Sequence, residues 1–195
     1  FGQDGPYAQR AGYDFMIQGL GGIMDLTGAP DGEPQKVGVA YADVFTGVYA
    51  TVAVLAALRR RDETGEGAHI DMALLDTQVG VLANQAMNFL VSGVAPRRMG
   101  NAHPNLVPYQ VFEVADGHLI LAVGNDSQFA KFCDAAGVPQ WAVDPRFTTN
   151  ADRVRHRDVL VPMLAEVMRT RTKQQWLTAL DSAKVPCGAI NNLAE

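Results

Sequence analysis

Asp43 stands where a carboxylate can do chemistry. It falls in Tyr41-Ala42-Asp43-Val44-Phe45-Thr46-Gly47, ahead of a run of Ala, Val, Leu, Phe and Tyr that predicts a helix from Val44 to Arg61. One role is an N-cap, with the carboxylate accepting from the amides of the first turn. Those amides and the positive end of the helix dipole favour negative charge at such a place. An ionised carboxylate with a free lone pair also attacks activated acyl groups, so the residues alone leave cap and nucleophile both open. Tyr13 heads another apolar segment, where the plain reading is a half-buried aromatic at a helix start. Other reactive types are scattered. His69, His118 and His156 lack ligand spacing, which predicts no metal site. Cys133 sits on an apolar helical stripe and reads as core, whereas Cys187, between Pro186 and Gly188, reads as pocket wall. No nucleophile elbow is present. Arg153, Arg155, His156 and Arg157 fall at helical spacing and read as a solvated face. Gly19, Gly21 and Gly22 follow no strand, so they read as a close helix approach and not as a dinucleotide loop.

The elements that must position these groups fall into two parts. Residues 1–42 are rich in turn signals around one helix, Tyr13 to Leu26. The helix over Val44–Arg61 is apolar on nearly every side, which predicts burial on nearly every side. The polar–apolar alternation of His69 to Leu74 predicts a strand, and a further helix runs from Asp76 to about Val91. A Pro- and Arg-containing loop spans 94–108. Beyond it, strands Tyr109–Val114 and His118–Val123 flank Ala115-Asp116-Gly117, a hairpin signal. Helices then follow over about Ser127–Ala136, Ala151–Thr170 (with a kink expected at Pro162) and Lys173–Ala183.

Composition narrows the class. Of 195 residues, 48% are hydrophobic and 19% charged, enough apolar material for a sizeable core. A net charge of −5 leaves no basic excess for a phosphate backbone, so no nucleic-acid partner is expected. Two cysteines cannot form a disulfide framework, which points to a reducing, cytoplasmic setting. The longest nearly apolar stretch, Val44 to Leu58, is shorter than the ~20 residues a bilayer span needs, so no membrane association is expected. The opening FGQDGPYAQR has neither Met nor a signal pattern and reads like the middle of a longer protein.

Order and spacing of short motifs add a resemblance. Gly2-Gln3-Asp4-Gly5-Pro6-Tyr7, Gly12-Tyr13-Asp14, Gly21-Gly22, Thr27-Gly28, Asp43 with Thr46-Gly47, Thr64-Gly65-Glu66-Gly67 and Ile70-Asp71-Met72 together resemble the class III CoA-transferase family, of CaiB/BaiF type. Gly100-Asn101-Ala102-His103, Val107-Pro108-Tyr109-Gln110, Gly124-Asn125 and Val185-Pro186 with Ile190-Asn191-Asn192 extend the likeness over essentially the whole chain. They are most similar to its glutarate and succinate branch.

The resemblance implies an α/β fold. Residues 1–93 would be the helix-rich part of a Rossmann-like large domain, 94–108 a linker and active-site loop, and 109–195 a small α+β domain. A segment outside this sequence would supply most CoA nucleotide contacts, within an interlocked homodimer. Asp43 would be the family's nucleophilic aspartate. It would move CoA from an acyl-CoA such as succinyl-CoA to a carboxylic or dicarboxylic acid, through mixed-anhydride and aspartyl-CoA intermediates. No cofactor is implied, the CoA thioester being a substrate. Racemases of the same family carry His where this chain has Tyr13. A phenol is a poor base near neutral pH but a good hydrogen-bond donor, so Tyr13 favours transfer. The alternatives are an α-methylacyl-CoA racemase or isomerase, and a non-catalytic member. The loop around Arg98 and His103 resembles the segment that covers the aspartate. Ala102-His103-Pro104-Asn105 replaces the glycine run that some transferases have there. On this reading His103 or Arg98 holds an acid or a CoA phosphate, against a plain solvated loop. Met72 and Leu74 line the pantetheine channel by family position, or else are strand core.

Overall fold

Buried apolar side chains are shared out unequally along the chain. The computed structural model describes residues 1–195, which divide into two units, Phe1–Gly100 and Asn101–Glu195. In the first, only Ile17, Ala42 and Ala73 are buried hydrophobic residues. The second holds a continuous core from Val107 to Val185.

The first unit is helical: α1 (Asp14–Leu20), α2 (Ile23–Leu26), α3 (Tyr41–Thr64), α4 (Leu74–Gly80) and α5 (Ala83–Ser92). The single helix expected over Tyr13–Leu26 is two. Gly22 adopts a left-handed conformation, φ +87°, that ends the first and starts the second. Gly21 lets α4 approach: a Cβ there would overlap Gln78 Cγ and lie 2.9 Å from the Ile17 carbonyl oxygen. The helix expected over Asp76–Val91 is likewise split, into α4 and α5. The strand expected over His69–Leu74 is absent, and residues 66–73 carry no regular structure. An alternating segment needs a neighbouring strand for its amides and carbonyls. This one instead lies along the first residues, with the Gln3 amide donating to Asp71 Oδ2 at 3.2 Å.

Helix α3 corrects two further expectations. It runs three residues beyond both ends of the anticipated span and closes on Gly65 in a left-handed cap. By length and composition it suffices to cross a membrane. Within the structure it is mostly uncovered: Ala42 and Thr46 are its buried residues, while Val48, Val52 and Leu55 are each more than half exposed. Burial on every side requires material outside the helix, and the first unit provides it for one narrow face only.

The second unit pairs β1 (Tyr109–Val114), β2 (Gly117–Ala122) and β3 (Cys187–Ala189) in an antiparallel sheet of order β1-β2-β3. The anticipated hairpin closes with Val114 opposite Gly117. Phe112 and Val114 of β1 and Leu119 and Leu121 of β2 point inward at strand period two. They meet α6 (Asp126–Ala136), α8 (Arg157–Met168) and α9 (Lys173–Ser182). On α8, Leu160, Leu164 and Met168 repeat at the i,i+4 spacing that makes a single apolar stripe. Burying each such side chain contributes roughly 1.5–3 kcal/mol. A 3-10 turn (Pro139–Trp141) and α7 (Asn150–Arg155) complete the unit. The expected kink at Pro162 is not where the helix breaks. The break falls at His156, between α7 and α8, and Pro162 lies inside α8.

Arg153 departs most from its sequence reading. It is fully buried, not solvated. Its Nε donates to the Val107 carbonyl at 2.7 Å and its Nη1 to that of Phe147 at 2.9 Å. Nη2 pairs with Asp126 at 2.8 Å, and the guanidinium lies over the Phe129 ring. A planar five-donor fork satisfied on all sides tolerates burial that a lone charge does not.

Candidate active site

The α3 N-terminus is built without a cap of its own. Ala40, at the cap position, has no side-chain acceptor, and no side chain within the helix caps it. Asp43 is the third helical residue, so the N-cap role is corrected. Its carboxylate is exposed and makes no hydrogen bond or ion pair. The first-turn amides are satisfied from elsewhere. Asp14 Oδ1, on the first residue of α1, accepts from the Ala42 amide at 2.8 Å and the Asp43 amide at 3.4 Å. Asp14 Oδ2 accepts from Gln18 Nε2 at 2.7 Å. Gln18, fully buried one turn later, takes the Val37 amide on Oε1 at 2.8 Å and donates to the Val39 carbonyl at 3.3 Å. One carboxylate and one amide thus hold both the entry strap 37–39 and the first turn of α3.

Tyr13 is the N-cap residue of α1, extended in backbone and 73% exposed, not half-buried. It precedes the residue that caps α3, so the Gly12-Tyr13-Asp14 motif meets the turn carrying Asp43. Met72 and Leu74 are half-buried and flank Ala73, whose Cβ would contact one built on Gly2 at 3.7 Å. They belong to a coil and a helix start, not to strand core. Arg98 is not a solvated loop residue. Its Nη1 donates to the backbone and side-chain oxygens of Asp25 at 2.9 and 3.1 Å, and its Nη2 to the Gly32 carbonyl at 3.1 Å. These bonds tie the 94–100 segment to α2 and the turn after it. A pocket of about 400 Å³ beside α4 and α5, lined by Leu26, Val79, Leu82, Phe89 and Leu90, includes Asp25 but not Asp43, Tyr13, Met72, Leu74 or Arg98.

His103 belongs to the second unit. Its Nδ1 accepts from the Asn105 amide at 3.0 Å, which requires that nitrogen to be unprotonated and places the neutral ring's proton on Nε2. Burial, and secondarily the Arg157 guanidinium, push its pKa below the usual histidine value. His103 therefore presents a neutral N–H donor, not a standing positive charge. Its loop is pinned. The His103 amide donates to the Tyr109 carbonyl at 2.9 Å, and Arg157 Nη2 donates to the carbonyls of His103 and Pro104 at 3.1 and 2.8 Å. Burial raises the Cys133 thiol to about 12, and burial with Asp181 nearby raises that of Cys187 to about 11, so neither is a thiolate near neutrality. No three His, Cys, Asp or Glu residues are placed to hold a metal ion.

Sequence reasoning missed Asp14, Gln18 and Arg157 as positioning groups. The i,i+4 spacing of Asp14 and Gln18 was the available signal. Their backbone partners lie 19 to 29 residues away, beyond any local pattern.

Comparison with solved structures gives the class, CaiB/BaiF type, and within it this chain has an unpaired aspartate on the first turn of a long apolar helix. The crystal structure of a CaiB/BaiF family protein from Brucella suis matches all of this chain and 51% of its own, with TM-score 0.80 and 56% sequence identity. The chain belongs to CoA-transferase family III, whose family model matches residues 1–195. It is 52% identical over 195 residues to succinate–glutarate CoA-transferase of Agrobacterium fabrum and 38% identical over 193 to human succinyl-CoA:glutarate CoA-transferase. It spans about half the length of these curated relatives, 49% and 44%.

Proposed function

We propose that this chain carries the nucleophile of an enzyme that transfers CoA from an acyl-CoA, succinyl-CoA being a fitting donor, to a free carboxylic or dicarboxylic acid. The observation that carries the reading is the Asp43 carboxylate, exposed and unengaged on a turn whose amides another residue has already satisfied. A capping carboxylate would spend its lone pairs on the helix; this one keeps them for an acyl carbon.

In the proposed sequence, Asp43 attacks the thioester carbonyl, the C–S bond breaks and CoA leaves as thiolate. The mixed anhydride is opened at the aspartyl carbonyl by the returning thiolate, releasing the donor acid as its carboxylate. The acceptor carboxylate then attacks the aspartyl thioester and frees the thiolate again. The thiolate takes the acceptor's acyl group from the second anhydride and regenerates Asp43. Each anhydride is formed uphill from a thioester and opened downhill by thiolate, so the net exchange of one thioester and acid for another is nearly balanced and calls for no cofactor. Tyr13 and the His103 Nε2–H are donors of the kind that would orient carboxylate oxygens. Met72 and Leu74 would border the pantetheine arm. Arg98 would act from its tie to Asp25, by shaping the loop. The names of the relatives support the glutarate and succinate branch.

The uncovered apolar side of α3 supports a homodimer in which further protein packs on this helix, in preference to lipid. The two unpaired cysteines support a cytoplasmic setting. The test is CoA exchange by the full-length protein across a panel of donors and acids. Transfer from succinyl-CoA to glutarate or a related diacid that vanishes with Asp43→Ala supports the proposal. Heavy-water exchange at the substrate α-carbon without CoA transfer would replace it with the racemase reading.

A further inference from the structure

A helix that presents a nucleophile from its first turn must have that turn held, and here the holding group is itself a carboxylate. We propose that Asp14, oriented by Gln18, is the positioning residue for Asp43, an inference that rests on the nucleophile reading above. The geometry is specific. Asp14 divides its two oxygens: Oδ1 faces the Ala42 and Asp43 amides, and Oδ2 faces the Gln18 amide nitrogen. Gln18 is fully buried and its orientation is fixed from both sides, since the Val37 amide requires its oxygen and Asp14 and the Val39 carbonyl require its nitrogen. Rotating its amide would set donor against donor at Val37 and acceptor against acceptor at Asp14. The pair therefore has one arrangement, and that arrangement sets the direction in which the Asp43 Cα–Cβ bond leaves the turn.

The bond to the Asp43 amide adds a second effect. Asp14 puts a negative charge beside the backbone of the nucleophile and uses the amides that would otherwise hydrogen-bond the Asp43 carboxylate. It keeps the attacking oxygens free as well as aimed. Misplacing a reacting group by about 1 Å costs on the order of 100-fold in rate, which sets the scale of the expected effect.

The test uses the full-length protein and three variants: Asp14→Asn, Gln18→Glu, and both together. Asp14→Asn sets two amide nitrogens against each other, and Gln18→Glu sets two carboxylates against each other. The double variant restores a donor–acceptor pair between positions 14 and 18 with its polarity reversed and the net charge unchanged, while the Val39 carbonyl still loses its donor, so the recovery is partial. Each single variant should lower kcat for CoA transfer by about 10- to 100-fold with the KM for acyl-CoA within twofold, and should speed amide hydrogen exchange at Ala42 and Asp43. The double variant should recover at least part of both. Unchanged kcat in folded Asp14→Asn overturns the proposal. So does a loss that the double variant leaves in place, or one that follows thermal stability alone. Should the single variants not fold, the double variant decides: folded with substantial activity supports the pairing, and inactive contradicts it. Exchange at Ala42 and Asp43 reads the positioning network without reference to catalysis. If Asp43→Ala left transfer intact, the nucleophile reading would fall while the exchange result still judged the network.

Discussion

At the start of α3 it is Asp14, and not Asp43, that accepts from the first-turn amides, and on the proposed reading this frees Asp43 to act as the nucleophile. Asp14 satisfies the amides, leaving the Asp43 carboxylate with no partner in the fold. Replacing Asp43 by Asn should lower CoA transfer by roughly 10⁴-fold or more, the scale seen when a covalent nucleophile is removed. It should move the stability of the protein by no more than about 0.5 kcal/mol, as for surface sites without contacts. Steady-state transfer and urea unfolding measured on one preparation read both. His103 makes a separate prediction. Its folded-state pKa lies below the unfolded value of about 6.5, so the unfolded chain binds the proton more readily. The stability due to neutral His103 is complete above pH 6.5 and is lost as pH falls toward the depressed value. A histidine NMR titration should place this ring below 6.5, and Arg157→Ala should restore the smaller part of the shift, since burial is the larger cause. The sequence singled out position 43 as an acidic residue ahead of an apolar helix, left cap and nucleophile open, and the structure removes the cap. Its helper was not legible in the sequence, because a cap supplied from 28 residues away is a tertiary contact.

The secondary elements were legible where local chemistry dictates them. Ala115-Asp116-Gly117 set the hairpin, and the apolar stripe of Leu160, Leu164 and Met168 set α8. The breaks at Gly22, Leu82 and His156 were hidden by apolar patterns that continue across them. The strand expected over His69–Leu74 is absent, and its last residue, Leu74, begins helix α4. Gly21→Ala tests the closest approach: the added methyl meets Gln78 and the Ile17 carbonyl, and should cost about 1–3 kcal/mol in thermal or urea unfolding. Arg153→Ala would leave the carbonyls of Val107 and Phe147 without donors inside the second unit. With the Asp126 pair lost as well, the expected cost is about 3 kcal/mol, and the same measurement reads it. A surface arginine, as the sequence pattern implied, would cost almost nothing.

At the scale of the molecule, the two units differ in what they complete. The second closes a core around Phe132, Trp176 and Leu164, whereas the first leaves most of α3 facing outward. Composition predicted a sizeable core but not that one half would hold nearly all of it, because composition does not say which apolar residues meet within the same chain. On the proposed arrangement the full-length protein sediments as a dimer, and Val52→Asp on the uncovered side of α3 lowers its dimer fraction or soluble yield. Analytical ultracentrifugation reads the outcome. A covalent adduct on Asp43 is the most direct test of its role as nucleophile. Full-length protein turning over an acyl-CoA in hydroxylamine, then digested for peptide mass spectrometry, should carry a hydroxamate on Asp43 and on no other carboxylate. An unmodified Asp43 in protein that is moving CoA between acids would contradict it.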